Sequence, residues 1–477
     1  MEPTEEQVSI VDRAKENGNL QITAYAGTGK SATLSMIDYA LPVKQRLYIA
    51  FNKRVVEEMQ KVDQKTGKPK VRTTTDCRTI NSIGHRVWAN TISAKITLDP
   101  KKTLSLFKAY ADTRSKDTQA LLWEYYDDVK TAVDLAKAFG FIPEGVRSWE
   151  KRLMDEDEFF DCLEDGLSPV TAAAVDTILR ASIDQAYKGN LDFNDQLYMP
   201  TLFGGAFPRY PLVMVDEDQD LSPINHEMVR KLVKGNRLIA VGDPYQSIYG
   251  FRGAMRDGMA RQLMAHEMDT RRLSVSFRCP SAIVENARWR APGFQALNSG
   301  GVVRTLTSLG TGEIAENSAI ICRNNAPLFR CAIRLLSAGR SVSMAGTDIG
   351  PKLLGILKRF GDESMERPSV LSAIESWEVK RSDSKTSADT ADCLRVFANL
   401  GSTLGAAIAH VEHLFRQNGR IHLTTGHKAK GLEWEHVYHL DPWRLGGEEQ
   451  DLNLRYVIQT RSANEYTEID LDGVYIS

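Results

Sequence analysis

The stretch AYAGTGKS places Ala24 four residues before Gly29, Lys30 and Ser31. This is the P-loop pattern with Ala in place of its first Gly. Gly27 and Gly29 let backbone N–H groups turn toward phosphate oxygens, an approach that a Cβ would obstruct. A helix starting at this point adds partial positive charge. The loop from Ala26 through Thr28 to Gly29 would cradle phosphates, Lys30 would reach the β- and γ-phosphates, and the Ser31 hydroxyl would ligate Mg²⁺. The stretch VMVDEDQD reads as a buried strand ending in two carboxylates. Asp216 is placed to hold the metal, and Glu217 to orient or deprotonate an attacking water. Many strands end in acids, so this second signal is weak alone. Gln219 and Asp220 after it, and the phosphate loop before it, give it weight. A third stretch, VGDPYQSIYGFRGA, adds residues that such a site needs only if hydrolysis is coupled to something else.

These residues need elements to hold them. Leu20 to Tyr25 reads as a buried strand and Lys30 to Ala40 as the helix after it. Arg46 to Ala50 is a second strand, followed by a helix from Arg54 to Val62. Leu212 to Val215 and Arg237 to Val241 are further short apolar strands. Such alternation implies a parallel sheet with crossover helices. From about Asn90 to Gly189 helical periods dominate, so that region reads as an insertion in one α/β domain. A second set of strands begins at Leu273 and takes in Ala319 to Cys322, Ile421 to Thr425, Val437 to Leu440 and Thr467 to Leu471. Within it, Asp362 to Arg416 lacks strands. Its polar stretch Arg381 to Asp392 reads as a loop, and Leu394 to Leu414 as helix.

At 477 residues, two or more domains are expected. Hydrophobic residues are 42% and charged residues 26%, the balance of a globular chain. A net charge of -2 excludes a chain basic all over but leaves room for a local basic groove. Six cysteines include no CxxC pair, so neither a zinc ribbon nor a disulfide framework is expected. The start MEPTEEQVSI is no signal peptide, and no run reaches the ~18 apolar residues of a membrane span. A cytoplasmic or nuclear protein is expected.

With these stretches in order, the chain resembles superfamily-1 helicases of the UvrD/Rep-like group. AYAGTGKS and LYIAFNK, with the compact spacing, are similar to the F-box DNA helicase branch and to related phage and bacterial proteins. The resemblance implies an α/β fold of two RecA-like parallel-sheet P-loop domains, each with a mainly helical insertion. The first domain would comprise 1–90 and 185–270, with 91–184 inserted. The second would comprise 271–361 and 417–477, with 362–416 inserted.

The resemblance also implies roles for residues. Gln7 matches a glutamine that reads the adenine edge. Phe51 and Asn52, in IAFNK, and Thr79 and Asn81, in TINSIG, match DNA-contacting motifs, the family usually having His where this chain has Asn81. DFNDQL resembles a stretch upstream of the Asp-Glu strand. Gln246 matches a γ-phosphate sensor, Phe251 an aromatic on which a base stacks, and Tyr249 and Arg252 residues linking nucleotide to DNA. Phe277 would stack on adenine and Arg278 touch the γ-phosphate. Arg323 resembles part of a further motif. In TTGHKAKGLEWEHVY, His427 and Lys430 lie in a loop bridging nucleotide and DNA, with Glu433 on the ribose side. Arg461 matches the arginine finger.

The implied activity is ATP- and Mg²⁺-dependent movement along single-stranded DNA, 3′ to 5′, with unwinding at single-strand/duplex junctions. Two other readings stay open. One is a translocase that strips bound proteins with little unwinding. The other is an ATP switch gating a partner nuclease. A monomer with a replication, repair or nuclease partner is expected. The short 362–416 insertion suggests weak or partner-dependent unwinding. With the sequence ending soon after Arg461, no nuclease domain is expected after it.

Overall fold

The structure, a computed structural model, describes residues 2–43, 45–50, 52–62, 67–161, 163, 168–345, 349–381 and 385–469. The chain divides into two compact units, 1–25 with 29–273, and 26–28 with 274–477.

The first unit is built on six strands. They are β1 (Leu20–Ala24), β2 (Arg46–Ala50), β3 (Thr75–Thr79) and, after a two-stranded pair β4 (Thr97–Leu98) and β5 (Asn190–Leu191), the strands β6 (Leu212–Asp216), β7 (Arg237–Gly242) and β8 (Asp269–Leu273). The sheet order is β3-β2-β6-β7-β1-β8, and every pairing is parallel. Parallel strands need crossovers that cover both faces. Successive side chains therefore enter different cores. Leu47, Ile49, Val213 and Val215 pack with Trp88 of helix Ile80–Thr91 and with Phe107 and Val133 of the inserted helices. Tyr48, Ala50, Leu212 and Met214 pack on the opposite face with Leu34 and Ile37. Those two belong to helix Lys30–Ala40, the helix that follows the phosphate loop. The inserted region holds helices Lys102–Ala111, Lys116–Glu124, Tyr126–Phe139, Glu156–Asp161 and Pro169–Tyr187.

The second unit repeats the architecture. After short strands β9 (Val275–Ser276) and β10 (Gln295–Ala296) come β11 (Val302–Leu306), β12 (Ala319–Cys322), β13 (Val342–Met344), β14 (Ile421–Thr425), β15 (Trp434–Leu440) and β16 (Ser462–Ile469). They form a parallel sheet ordered β11-β16-β15-β12-β14-β13. Helices Arg367–Val379, Lys385–Ala398 and Leu404–Phe415 pack into the same core as β12 and β14.

Two expectations change. Leu273 does not open the second set of strands. It ends β8, an edge strand of the first sheet, where it pairs with Ala24. The polar stretch Arg381 to Asp392 is not simply a loop. Residues 382–384 lie outside the described residues, but helix Lys385–Ala398 starts directly after them. Ala391, Leu394 and Ala398 lie at helical spacing and are buried, so packing of one face overrides the polar composition. Asp470 and Leu471, expected in the last strand, lie outside the described residues. Among the described residues, no helix is long and apolar enough to cross a membrane.

Candidate functional site

The first unit gathers a group of polar side chains at the C-terminal ends of β1, β6 and β7. Gly29 caps helix Lys30–Ala40 at φ 80°, ψ 38°, a left-handed geometry that favours glycine. No side chain caps this helix start, which suits it to an anion. Ser31 Oγ donates to Asp216 Oδ2 at 2.7 Å, and Tyr48 OH donates to the same oxygen at 2.7 Å. Burial, and then the neighbouring Glu217 charge, push the Asp216 carboxyl above its usual range. Burial beside Asp216 also raises the Tyr48 phenol. Lys30 Nζ lies 3.4 Å from Glu217 Oε2. These oxygens are the hard donors that Mg²⁺ prefers, and the cation beside them suits phosphate. Ser31 and Asp216 would hold the metal, and Lys30 the phosphates.

Glu217 has φ 58°, ψ 46°, rare for a residue with a Cβ. Such a residue costs about 1–3 kcal/mol and persists only where its surroundings hold it. Here Glu217 N–H donates to Asp216 Oδ1 at 3.0 Å, and Gln219 Nε2 donates to Glu217 Oε2 at 2.7 Å. Gln219 continues the chain of bonds, since its Oε1 accepts from Asp243 N–H at 2.8 Å. Asp243 Oδ2 accepts from Gln246 Nε2 at 2.7 Å. Burial pushes Asp243 up to about 6 and the neighbouring Asp218 up to about 7.

Three residues beyond Gln246 the chain reaches an aromatic and cationic cluster. The Tyr249 and Phe251 rings lie 6.0 Å apart at 67°. The Arg252 guanidinium lies 5.3 Å from the first ring and 5.5 Å from the second. Phe251 is 53% exposed, although it is a large apolar side chain.

Of the other sequence candidates of this unit, Gln7 reaches the phosphate-loop helix through Thr33, whose hydroxyl donates to Gly29 O at 3.0 Å. Gln7 caps its own helix: its Oε1 accepts from Thr4 N–H at 3.1 Å and its Nε2 donates to Thr33 Oγ1 at 3.1 Å. Asn52 caps helix Lys53–Gln60 through Val55 N–H. Thr79 caps helix Ile80–Thr91, and Asn81 in its first turn donates to Phe193 O at 2.9 Å. Phe51 lies outside the described residues.

In the second unit, Ala26, Gly27 and Thr28 are held by the segment after β8. Ser276 Oγ donates to Ala26 O at 2.9 Å, Phe277 N–H donates to Gly27 O at 2.9 Å, and Ala26 N–H donates to Tyr456 OH at 3.1 Å. At Gly27, with φ +68°, a Cβ would come within 2.7 Å of Arg278 Cβ. Arg278 Nε donates to Glu433 Oε2 at 2.5 Å. Arg461 is 2% exposed, and its guanidinium donates to Val457 O at 2.9 Å, Leu432 O at 3.3 Å and Thr460 Oγ1 at 3.2 Å. Arg323 pairs with Asp451 at 3.3 Å. His427 lies on the short helix Gly426–Ala429, and Lys430 follows it.

Reading the sequence missed Tyr48, Gln219 as a link, Asp243 and the buried charges gathered at the DFND turn. In that turn Lys137 Nζ contacts Asp192 Oδ2 at 2.6 Å and Asp195 Oδ1 at 2.7 Å, while Lys102 Nζ donates to Asp195 Oδ2 at 2.6 Å. The turn leaves Phe193 54% exposed. Asp243 had a signal, the Gly-Asp-Pro following an apolar strand. Tyr48 had none, because a tyrosine in a strand reads as core.

The UvrD/REP helicase N-terminal domain model matches residues 4–264. The chain belongs to this family. Among its relatives, F-box DNA helicase 1 of Gallus gallus is 26% identical over 264 residues, 53% of this chain and 24% of that protein. F-box DNA helicase protein 1 of Schizosaccharomyces pombe is 25% identical over 301 residues, 54% of this chain and 34% of that protein. A probable DNA helicase II homolog of Mycoplasma genitalium is 24% identical over 254 residues, 48% of this chain and 34% of that protein. The matched region therefore spans a quarter to a third of these relatives.

Proposed function

We propose that the chain is an ATP-dependent DNA helicase or translocase that moves on single-stranded DNA, with 3′-to-5′ travel. The observation that carries this reading is the bonded path from Glu217 through Gln219 and Asp243 to Gln246, three residues before the Tyr249–Phe251–Arg252 cluster with its exposed Phe251. A change at the phosphate end can reach Gln246 through these bonds, and the cluster three residues on through the backbone. Lys30 binds the β- and γ-phosphates, Glu217 orients the attacking water, and Gln246 senses the γ-phosphate. Arg278 and Arg461 supply further positive charge to the phosphates during the cycle, which requires each to exchange its present partners. Mg²⁺, when bound, would neutralise phosphate charge beside Ser31 and Asp216. Phe277 and Gln7 serve the adenine, and Glu433 the ribose. Asn52, Thr79, Asn81, Arg323, His427 and Lys430 join the DNA contacts.

Phe251 serves as a stacking platform, since every base offers a π-face and each stack contributes roughly 1–3 kcal/mol. Phe251→Ala is expected to keep ATP binding and to lose most of the stimulation of ATPase by single-stranded DNA. Undiminished stimulation would remove Phe251 from the DNA path. Strand displacement on 3′-tailed and 5′-tailed duplexes then separates the readings. ATP-driven displacement from the 3′ tail supports the helicase. DNA-stimulated ATPase without displacement favours the protein-stripping translocase, and ATPase indifferent to DNA favours the nucleotide switch.

A further inference from the structure

Resting on the reading of Asp216 as the metal-holding carboxylate, we propose that Tyr48 is the positioning residue that pins this carboxylate for the metal. A carboxylate's terminal torsion is broad, so an aspartate at a strand end turns unless both oxygens are held. Three donors reach Asp216. Glu217 N–H holds Oδ1 at 3.0 Å, while the Ser31 and Tyr48 hydroxyls hold Oδ2 at 2.7 Å each.

The two hydroxyls are not equivalent. Ser31 is half-buried in the first turn of its helix, and its oxygen is itself the proposed metal ligand. Its hydroxyl is therefore shared between carboxylate and ion. Tyr48 has no part in holding the ion; its hydroxyl donates to the carboxylate, with the Ser31 hydroxyl as its neighbour. It is fully buried on β2, an interior strand paired with β3 and β6. Its register partner is Met214, and strand periodicity puts Met214 and Asp216 on one face. Two rigid strands thus set the length of the Tyr48–Asp216 bond before any ion arrives. Glu217 N–H and Tyr48 OH together fix the carboxylate plane from both oxygens. Outer partners of metal ligands act in this way, and removing one typically weakens metal binding 10–100-fold.

The test is Tyr48→Phe, which keeps the ring and removes only the donor. Two affinities are measured: that of ADP without metal, and that of Mn²⁺ for the ADP complex, read by electron paramagnetic resonance. The expected result is a loss of about 10-fold or more in Mn²⁺ affinity with metal-free ADP binding unchanged. In an Asp216→Asn background, Tyr48→Phe is expected to change nothing further. Equal Mn²⁺ affinity in Tyr48→Phe and wild type overturns the proposal. So does a parallel loss of both affinities, which marks Tyr48 as a packing residue only. If the wild type itself shows no metal-dependent nucleotide binding, it is the reading of the phosphate site that fails.

Discussion

Lys30→Ala is expected to abolish ATP turnover while the fold survives. Removing one preorganised donor to a developing charge typically costs about 10²–10³ in kcat. Lys30 carries a full charge, so the loss should reach or exceed that range. The local chemistry supports this. Lys30 Nζ is 3.4 Å from Glu217 Oε2, and its charge lowers the buried Asp216 and Asp243 carboxyls against the effect of their burial. Without Lys30, these acids take up protons more readily, and a protonated Asp216 is a poor metal ligand. The variant therefore loses phosphate binding directly and metal binding indirectly. The Lys30 side chain is 12% exposed but points to Glu217 and belongs to no apolar cluster, so melting should shift little. Steady-state phosphate release with and without single-stranded DNA checks the first point, and thermal melting the second. Turnover near the wild-type rate would show that the Lys30 loop is not the site of hydrolysis.

What could be read from the sequence depended on how far apart the cooperating residues lie. The phosphate loop is contiguous, and the apolar runs around it announce the strands. Helix Lys30–Ala40 and strand Arg46–Ala50 accordingly have the bounds that the pattern suggests. Ser31 and Asp216 were named as partners for one ion because each lies in its own short motif, and their oxygens are 2.7 Å apart. Strand β8, DTRRL, was misassigned because four of its five residues are exposed. An edge strand is held by backbone bonds on one side and has no need of an apolar run. Helix Lys385–Ala398 was hidden because Ser, Thr and Asp weaken helix propensity locally, and only tertiary packing restores it. The positive φ of Glu217 leaves no mark in composition at all. Arg461 was read only as a phosphate ligand, and nothing in the sequence shows that its guanidinium is bonded to the backbone of its own unit.

The DFND turn is the clearest case, and Lys137→Met is expected to destabilise the first unit by about 3–5 kcal/mol. Lys102 and Lys137 come from two helices of the inserted region and Asp192 and Asp195 from the turn just after it, and all four are buried. Two cations and two carboxylates balance. Lys137 also donates to Ser182 Oγ at 2.9 Å, and Lys102 to Ser182 O at 2.7 Å, so the ammonium groups are well provided with acceptors. Methionine matches the length of lysine but leaves one carboxylate without its counter-ion in a low-dielectric core. That uncompensated charge, more than the lost attraction, is the source of the cost. Asp192→Asn in the same background restores the balance as one lysine to one aspartate. Asn Oδ1 can still accept from Asp195 N–H, as Asp192 Oδ1 does at 2.8 Å. The double variant should therefore recover part of the loss. The pH dependence gives an independent check. The lysines hold Asp192 below the ordinary aspartate range, against the opposing effect of burial. A depressed carboxyl contributes stability that is present above the unfolded value, about 3.9, and is lost as pH falls through the folded one. Wild type should weaken on acidification through that range, and Lys137→Met should weaken less. Urea unfolding at pH 7 and at about pH 3 measures both effects. A midpoint unchanged at pH 7 would mean that the four charges carry no net stabilisation. The turn also presents Phe193 and takes the Asn81 amide on its backbone, so a loosened quartet should loosen that contact as well.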